Sequence, residues 1–216
     1  MVLVRQECGY SSHLMMKQII FAVLVSSVLF STTSHSAELS YSYVEAGYIT
    51  RLGQQEAIGP GGDIDYSTDG FSIRGAFTIS DSFYITGNYF SEKSELYGMH
   101  AQIDSLDIGA GYHYALSSKV DIFTDISFSQ QYLSNDFGNY DFDGFRFRLG
   151  LRGQLAQNLE GSLSINRREL NNDLGASQIN AYVVGGVWNF SDNFSLAGDA
   201  EFADDDRYFL GLRYNY

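Results

Sequence analysis

From Phe145 to Leu155 the chain alternates cationic and apolar residues in a way that very few folds accept. In an extended strand successive side chains point to opposite faces. Phe145, Phe147, Leu149, Leu151, Gly153 and Leu155 therefore share one face, and Arg146, Arg148, Gly150, Arg152 and Gln154 share the other. A sheet buried on both faces would have to desolvate three guanidiniums, which is costly unless every one is paired. A sheet with hydrocarbon on one side and a polar interior on the other satisfies both faces at once. The pattern recurs. Phe71, Ile73, Gly75, Phe77 and Ile79 oppose Ser72, Arg74, Ala76 and Thr78. At the end of the chain Tyr208, Leu210, Leu212, Tyr214 and Tyr216 oppose Phe209, Gly211, Arg213 and Asn215.

Four short segments of one form punctuate these strands: Ile79–Phe83, Leu116–Val120, Leu155–Leu159 and Phe190–Phe194. Each sets three mostly polar residues between two apolar ones, which reads as a tight hairpin turn. Between them lie longer stretches rich in Asp, Asn, Gly and Ser, at 51–69, 91–104, 133–143, 169–178 and 203–206, which read as loops. Short turns and long loops alternate strictly. The spacing predicts ten strands, near 40–50, 70–79, 83–91, 104–116, 120–132, 143–155, 159–168, 179–190, 194–202 and 207–216. An eight-strand alternative would omit one hairpin. The weakest segment is the first, where Tyr41, Tyr43, Val44 and Tyr48 keep no clean face. In lipid every backbone amide needs a partner, so such strands must close on themselves.

Residues 1–37 read as an N-terminal extension followed by an export signal, with Met15 or Met16 as the expected start. Lys17 precedes an apolar run from Ile19 to Phe30 and a small polar stretch ending at Ala37. That run is shorter than the ~20 apolar residues of a spanning helix. Residues 38–216 are then the folded domain. The one cysteine, Cys8, lies in the extension, so the processed chain holds no disulfide. Loss of Arg5, Lys17 and Glu7 takes the net charge from −13 to −14. A chain this acidic is a poor nucleic-acid ligand, because duplex binding depends on basic surface that releases counterions.

Aromatic residues cluster near strand ends on the apolar faces: Phe71, Phe83, Tyr112, Tyr114, Phe190, Phe194, Tyr214 and Tyr216. Rings at both bilayer interfaces are a property of membrane barrels. With the export signal, the hairpin grammar and the aromatic final strand Tyr208–Tyr216, the chain resembles the small Gram-negative outer-membrane barrels of the OmpA and OmpX class. That resemblance implies an all-β, transmembrane, antiparallel up-and-down β-barrel of about ten strands (OmpA-like domains have eight). It implies export through the periplasm to the outer membrane, contact with outer-membrane lipid and lipopolysaccharide, and recognition of Tyr208, Leu210, Leu212, Tyr214 and Tyr216 by the barrel-assembly machinery.

The inward faces carry the main constellation. Its acids are Glu45, Asp107, Asp125, Asp199 and Glu201, and its bases are Arg74, Arg146, Arg148, Arg152, Arg168 and Arg213. Adjacent strands are expected to set Asp125 beside Arg148 or Arg152, and closure to bring Glu45 to both Arg213 and Arg74. Tyr84, His113, Phe123 and Phe209 also point inward and argue for a filled interior. The network reads as structural, or alternatively as a pore lining.

Clustered loop acids, Asp63, Asp65 and Asp69, Asp141 and Asp143, and Asp204 to Asp206, match no calcium-loop pattern and read as solvated surface, with recruitment of divalent ions shared with lipopolysaccharide phosphates as the alternative. His100 and His113 lack the flanking constellation of a hydrolase, so neither catalysis nor a cofactor or metal site is expected. The expected function is a non-enzymatic barrel that displays acidic loops, in envelope integrity or surface interaction. A narrow, cation-leaning channel is the alternative, and a barrel enzyme acting on lipid or peptide the second alternative.

Overall fold

The computed structural model describes residues 39–55, 64–96, 99–172 and 175–216. The extension and export signal lie outside the described residues, as do residues 56–63 of the stretch read as the first loop. The described residues form ten strands: β1 (Tyr43–Gln55), β2 (Ile64–Thr78), β3 (Phe83–Leu96), β4 (Met99–Ser117), β5 (Val120–Asn135), β6 (Gly138–Ala156), β7 (Leu159–Asn172), β8 (Gly175–Asn189), β9 (Phe194–Phe202) and β10 (Asp206–Asn215). Every strand pairs antiparallel with its sequence neighbours, and β1 pairs with β10, so the sheet is a closed up-and-down barrel.

The first strand, the least regular in sequence, is the seam. Its ambiguity came from aromatics on both faces. Val44, Tyr48 and Leu52 are exposed on the outside, whereas Glu45 and Ile49 are buried inside. Tyr43 also lies inside, under the Arg213 guanidinium at 4.0 Å.

The outer surface is apolar where β2, β6 and β10 predicted it. Ile73, Phe77, Phe145, Phe147, Leu210 and Leu212 are all exposed. Rings gather toward both ends of this belt. Phe83 meets Tyr112 at 5.0 Å and Phe194 meets Tyr214 at 5.2 Å near the short turns. Phe71 meets Tyr89 at 5.8 Å toward the other end. There the Tyr89 hydroxyl donates to Asp104 at 3.1 Å, and the Tyr48 hydroxyl donates to Asp69. Each of these tyrosines keeps its ring with the apolar belt and its hydroxyl with a carboxylate beyond it, as an interfacial side chain does.

The short turns fall where the sequence put them. Ile79 N donates to Phe83 O at 2.8 Å, and the turn is pinned again by Phe83 N donating to Ser80 Oγ at 3.3 Å. The stretches read as long loops differ from expectation. Most of 91–104, 133–143 and 169–178 is strand, because β3 to β8 run on past the apolar belt. β4 and β6 have 19 residues each, while a tilted crossing needs about 9–11. Outside hydrocarbon both faces of a hairpin meet water, so the hydrophobic alternation stops while the backbone ladder continues. The polar composition was legible and the pairing was not.

Candidate functional site in the barrel lumen

The interior is a stack of ion pairs set by strand register. Glu45 faces Arg213 across β1 and β10, and Arg74 across β1 and β2. Arg213 Nε donates to Glu45 Oε1 at 2.5 Å, and Arg74 Nε donates to Glu45 Oε2. Arg74 also reaches Asp199 at 2.5 Å and lies 3.8 Å over the Phe209 ring. A continuous Arg213–Glu45–Arg74–Asp199 chain thus crosses the closing seam. A carboxylate between two guanidiniums is well compensated, which a charge removed from water requires.

Asp125 faces Arg148 in register and accepts from its Nε at 2.8 Å and from the Tyr84 hydroxyl at 3.2 Å. Arg152, the other expected partner of Asp125, instead bonds Glu160, with Nη2 donating at 2.5 Å. Asp107 is fully enclosed. It accepts from Arg146 at 2.7 Å, from Arg168 at 3.2 Å, from Asn88 at 3.2 Å and from Ser129. Glu201 accepts from Asn166 at 3.1 Å.

Five charged residues in this stack lie outside the set read from sequence. Glu92 holds Arg51 at 2.8 Å, Arg207 at 3.2 Å and the Thr68 hydroxyl at 3.1 Å. Glu92 and Arg51 sit in stretches read as loop, so their strand parity was not counted. Continuing the alternation of β3 from Tyr84 through Phe90 would have placed Glu92 inside. Asp121 and Glu160 stand one residue past a tight turn, where alternation has barely begun.

At the short-turn end the lumen is capped by rings. Tyr41 stacks on His113 at 4.0 Å between ring centres and on Tyr84 at 5.0 Å. Arg152 lies 5.0 Å over the Tyr41 ring and donates from Nη1 to the Ser40 carbonyl at 2.7 Å. Phe123 completes the buried cluster, with Leu39 and Tyr43 packed against it. His113 Nδ1 stands 3.3 Å from Asp121 Oδ2, under the cap. Ser117 lies at the strand end, where its hydroxyl accepts the Lys119 amide at 3.2 Å. His100 is exposed near the other end, its backbone N–H donating to Asp136 at 3.0 Å.

Above the cap lies a central cavity of about 160 Å³, whose floor includes Tyr41 and Phe123. A second chamber of about 130 Å³ lies toward the long hairpins and reaches Asp204 and Asp205 between β9 and β10. Among the described residues no cluster of His, Cys, Asp and Glu has the arrangement of a metal site.

No protein-family model matches the sequence, and no curated protein matches it either. Solved structures do match. The COG4313 outer membrane channel from Pseudomonas putida F1 superposes with a TM-score of 0.50 at 10% identity, over 86% of this chain and 99% of that one. Neisserial surface protein A (NspA) gives 0.42 at 14% identity, over 82% and 98%. The outer membrane protein OprG from Pseudomonas aeruginosa gives 0.42 at 10% identity, over 85% and 98%. At such identities the likeness is one of fold. The closed ten-strand sheet, the apolar outer belt with its rings and the ion-paired interior define the class: a small outer-membrane β-barrel. In barrels of this class the short turns face the periplasm and the long hairpins face outward.

Proposed function

We propose that this barrel is a non-enzymatic anchor that displays long acidic hairpins at the cell surface and carries no steady flow. The cap of Tyr41, Tyr84, His113 and Phe123 at the periplasmic mouth supports this reading most strongly. A ring stack held by Arg152 on both a ring face and a backbone carbonyl leaves a blind lumen. The charge stack above it supports the same view, because broken pairs in low dielectric are expensive and the side chains are held in place. The length of β4 and β6 beyond the membrane gives the display surface, with Asp136, Asp141 and Asp143 on the β5–β6 hairpin.

In this reading the outer belt contacts lipid and lipopolysaccharide, and the final strand, with its outward Tyr208, Leu210, Leu212, Tyr214 and Tyr216, is the segment offered to the barrel-assembly machinery. The test is planar-bilayer recording of the refolded protein. The reading predicts no unitary steps above background. Reproducible steps would favour the narrow channel instead.

A further inference from the structure

The lumen holds balanced charge, but its surface does not. Seven arginines line the central cavity, against four carboxylates, Glu45, Glu160, Asp199 and Glu201. The other acids are set back: the side chains of Asp107, Asp125 and Glu92 are 0% exposed, behind the guanidiniums they hold. Arg74 and Arg148 keep 27% and 28% of their side-chain surface open to the interior. A guest in the cavity meets N–H edges first, while the compensating oxygens lie a layer deeper. In a confined, weakly screened interior the nearer charge dominates.

Three of these arginines are also incompletely bonded. Arg146, Arg168 and Arg213 are at least nine-tenths buried. Arg146 Nε, Arg168 Nε and Arg213 Nη1 are buried donors with no hydrogen-bond acceptor among the described residues. Guanidinium donors have no alternative role, since the group cannot accept and does not deprotonate. The central cavity and the outer chamber share Arg146, Asn166, Arg168, Glu201 and Arg207, so this set joins the two spaces.

We infer that the lumen is a blind binding pocket for a small oxyanion, a carboxylate or phosphate group, admitted from the outer face and stopped by the ring cap. Planar guanidinium edges match such oxygens with paired hydrogen bonds. The inference rests on the closed-cap reading for its blind geometry and runs opposite to a cation-leaning lumen. Asp204 and Asp205 line the outer chamber and oppose an approaching anion, so equilibrium binding is the quantity to read.

The test exploits two adjacent arginines that point to opposite sides. Arg168 faces the cavity and shares Asp107 with Arg146, whereas Arg167 is exposed and pairs with Glu169 at 2.6 Å. Calorimetric titration of the folded, detergent-solubilised protein uses citrate and inorganic phosphate as separate probes at fixed ionic strength. At least one probe should bind saturably. Arg168→Gln should weaken that binding about tenfold or more, the loss of one charge-assisted contact, and Arg167→Gln should leave it within about twofold. Asp107 keeps Arg146, Asn88 and Ser129 in Arg168→Gln, and retained heat-modifiable gel mobility reports that the variant is folded. Should that variant fail to fold, Arg148→Gln, in which Asp125 keeps Tyr84, serves in its place. Binding by citrate alone assigns a carboxylate guest, and binding by phosphate alone a phosphate guest. Absence of saturable binding by either probe overturns the inference, as does equal weakening in the inward and outward variants. Reproducible unitary steps in the wild-type protein while binding holds would remove the cap and leave the pocket.

Discussion

Arg213 donates from Nε to Glu45 Oε1 at 2.5 Å across the β1–β10 seam, joining residues 168 positions apart in the chain. The pair forms only when the cylinder closes, and Glu45 is then buried with Arg74 as its second partner. Closure and charge compensation are therefore one event.

Glu45→Gln leaves two guanidiniums at the seam without their carboxylate. Loss of one member of a buried pair typically costs about 3–5 kcal/mol. The lower end is expected, since Arg74 keeps Asp199. Urea titration followed by heat-modifiable gel mobility should show a lowered midpoint, and Arg213→Glu a larger drop. A midpoint equal to wild type would mean that the seam is held by its backbone ladder alone.

Gly47 and Gly211 face each other directly in the seam. A Cβ on Gly211 would stand 2.5 Å from the Ala46 carbonyl oxygen and 2.6 Å from the Phe209 ring, inside any tolerable contact. That space seats Phe209, which in turn carries Arg74. Gly211→Ala should destabilise by about 1–3 kcal/mol, the range for overpacking. Gly186, where the closest atom to a built Cβ is the Glu160 carbonyl oxygen at 3.8 Å, is the control and should accept alanine with little change in the same urea titration.

Tyr41→Ala removes the ring held between His113 and Tyr84. The floor of the cavity at the short-turn end should open while the ion pairs above stay intact. Bilayer recording should then show small unitary steps absent from wild type, with unchanged gel mobility. Silent membranes with the folded variant would move the seal from the cap to the charge stack.

Much of this molecule is readable in its residues, and the parts that are not have identifiable causes. Strand number, turn positions and the in-or-out assignment of β6 and β10 follow from two-residue periodicity enforced by lipid on one side. The meeting of Glu45 with Arg74 and Arg213 follows from parity plus closure. Glu92 and Arg51 were not legible, because beyond the bilayer nothing enforces alternation and the composition resembles loop. The choice of Glu160 over Asp125 by Arg152 was hidden as well. Register makes Asp121 the cross-strand neighbour of Arg152, but a long side chain selects among several carboxylates by reach. Of the cap, Tyr84, His113 and Phe123 were legible as inward rings, and Tyr41 was not, because it precedes β1 and belongs to no strand face.

The claim on which all else depends is that odd-numbered residues of β6 face lipid while even-numbered ones face the lumen. Single cysteines at positions 145 to 152, in protein whose only native cysteine, Cys8, is replaced, can carry a fluorophore in bilayers containing lipid-borne quenchers. Strong quenching at 145, 147, 149 and 151, with weak quenching at 146, 148, 150 and 152, is the predicted result. Uniform quenching along the segment, or the opposite phase, would contradict the account.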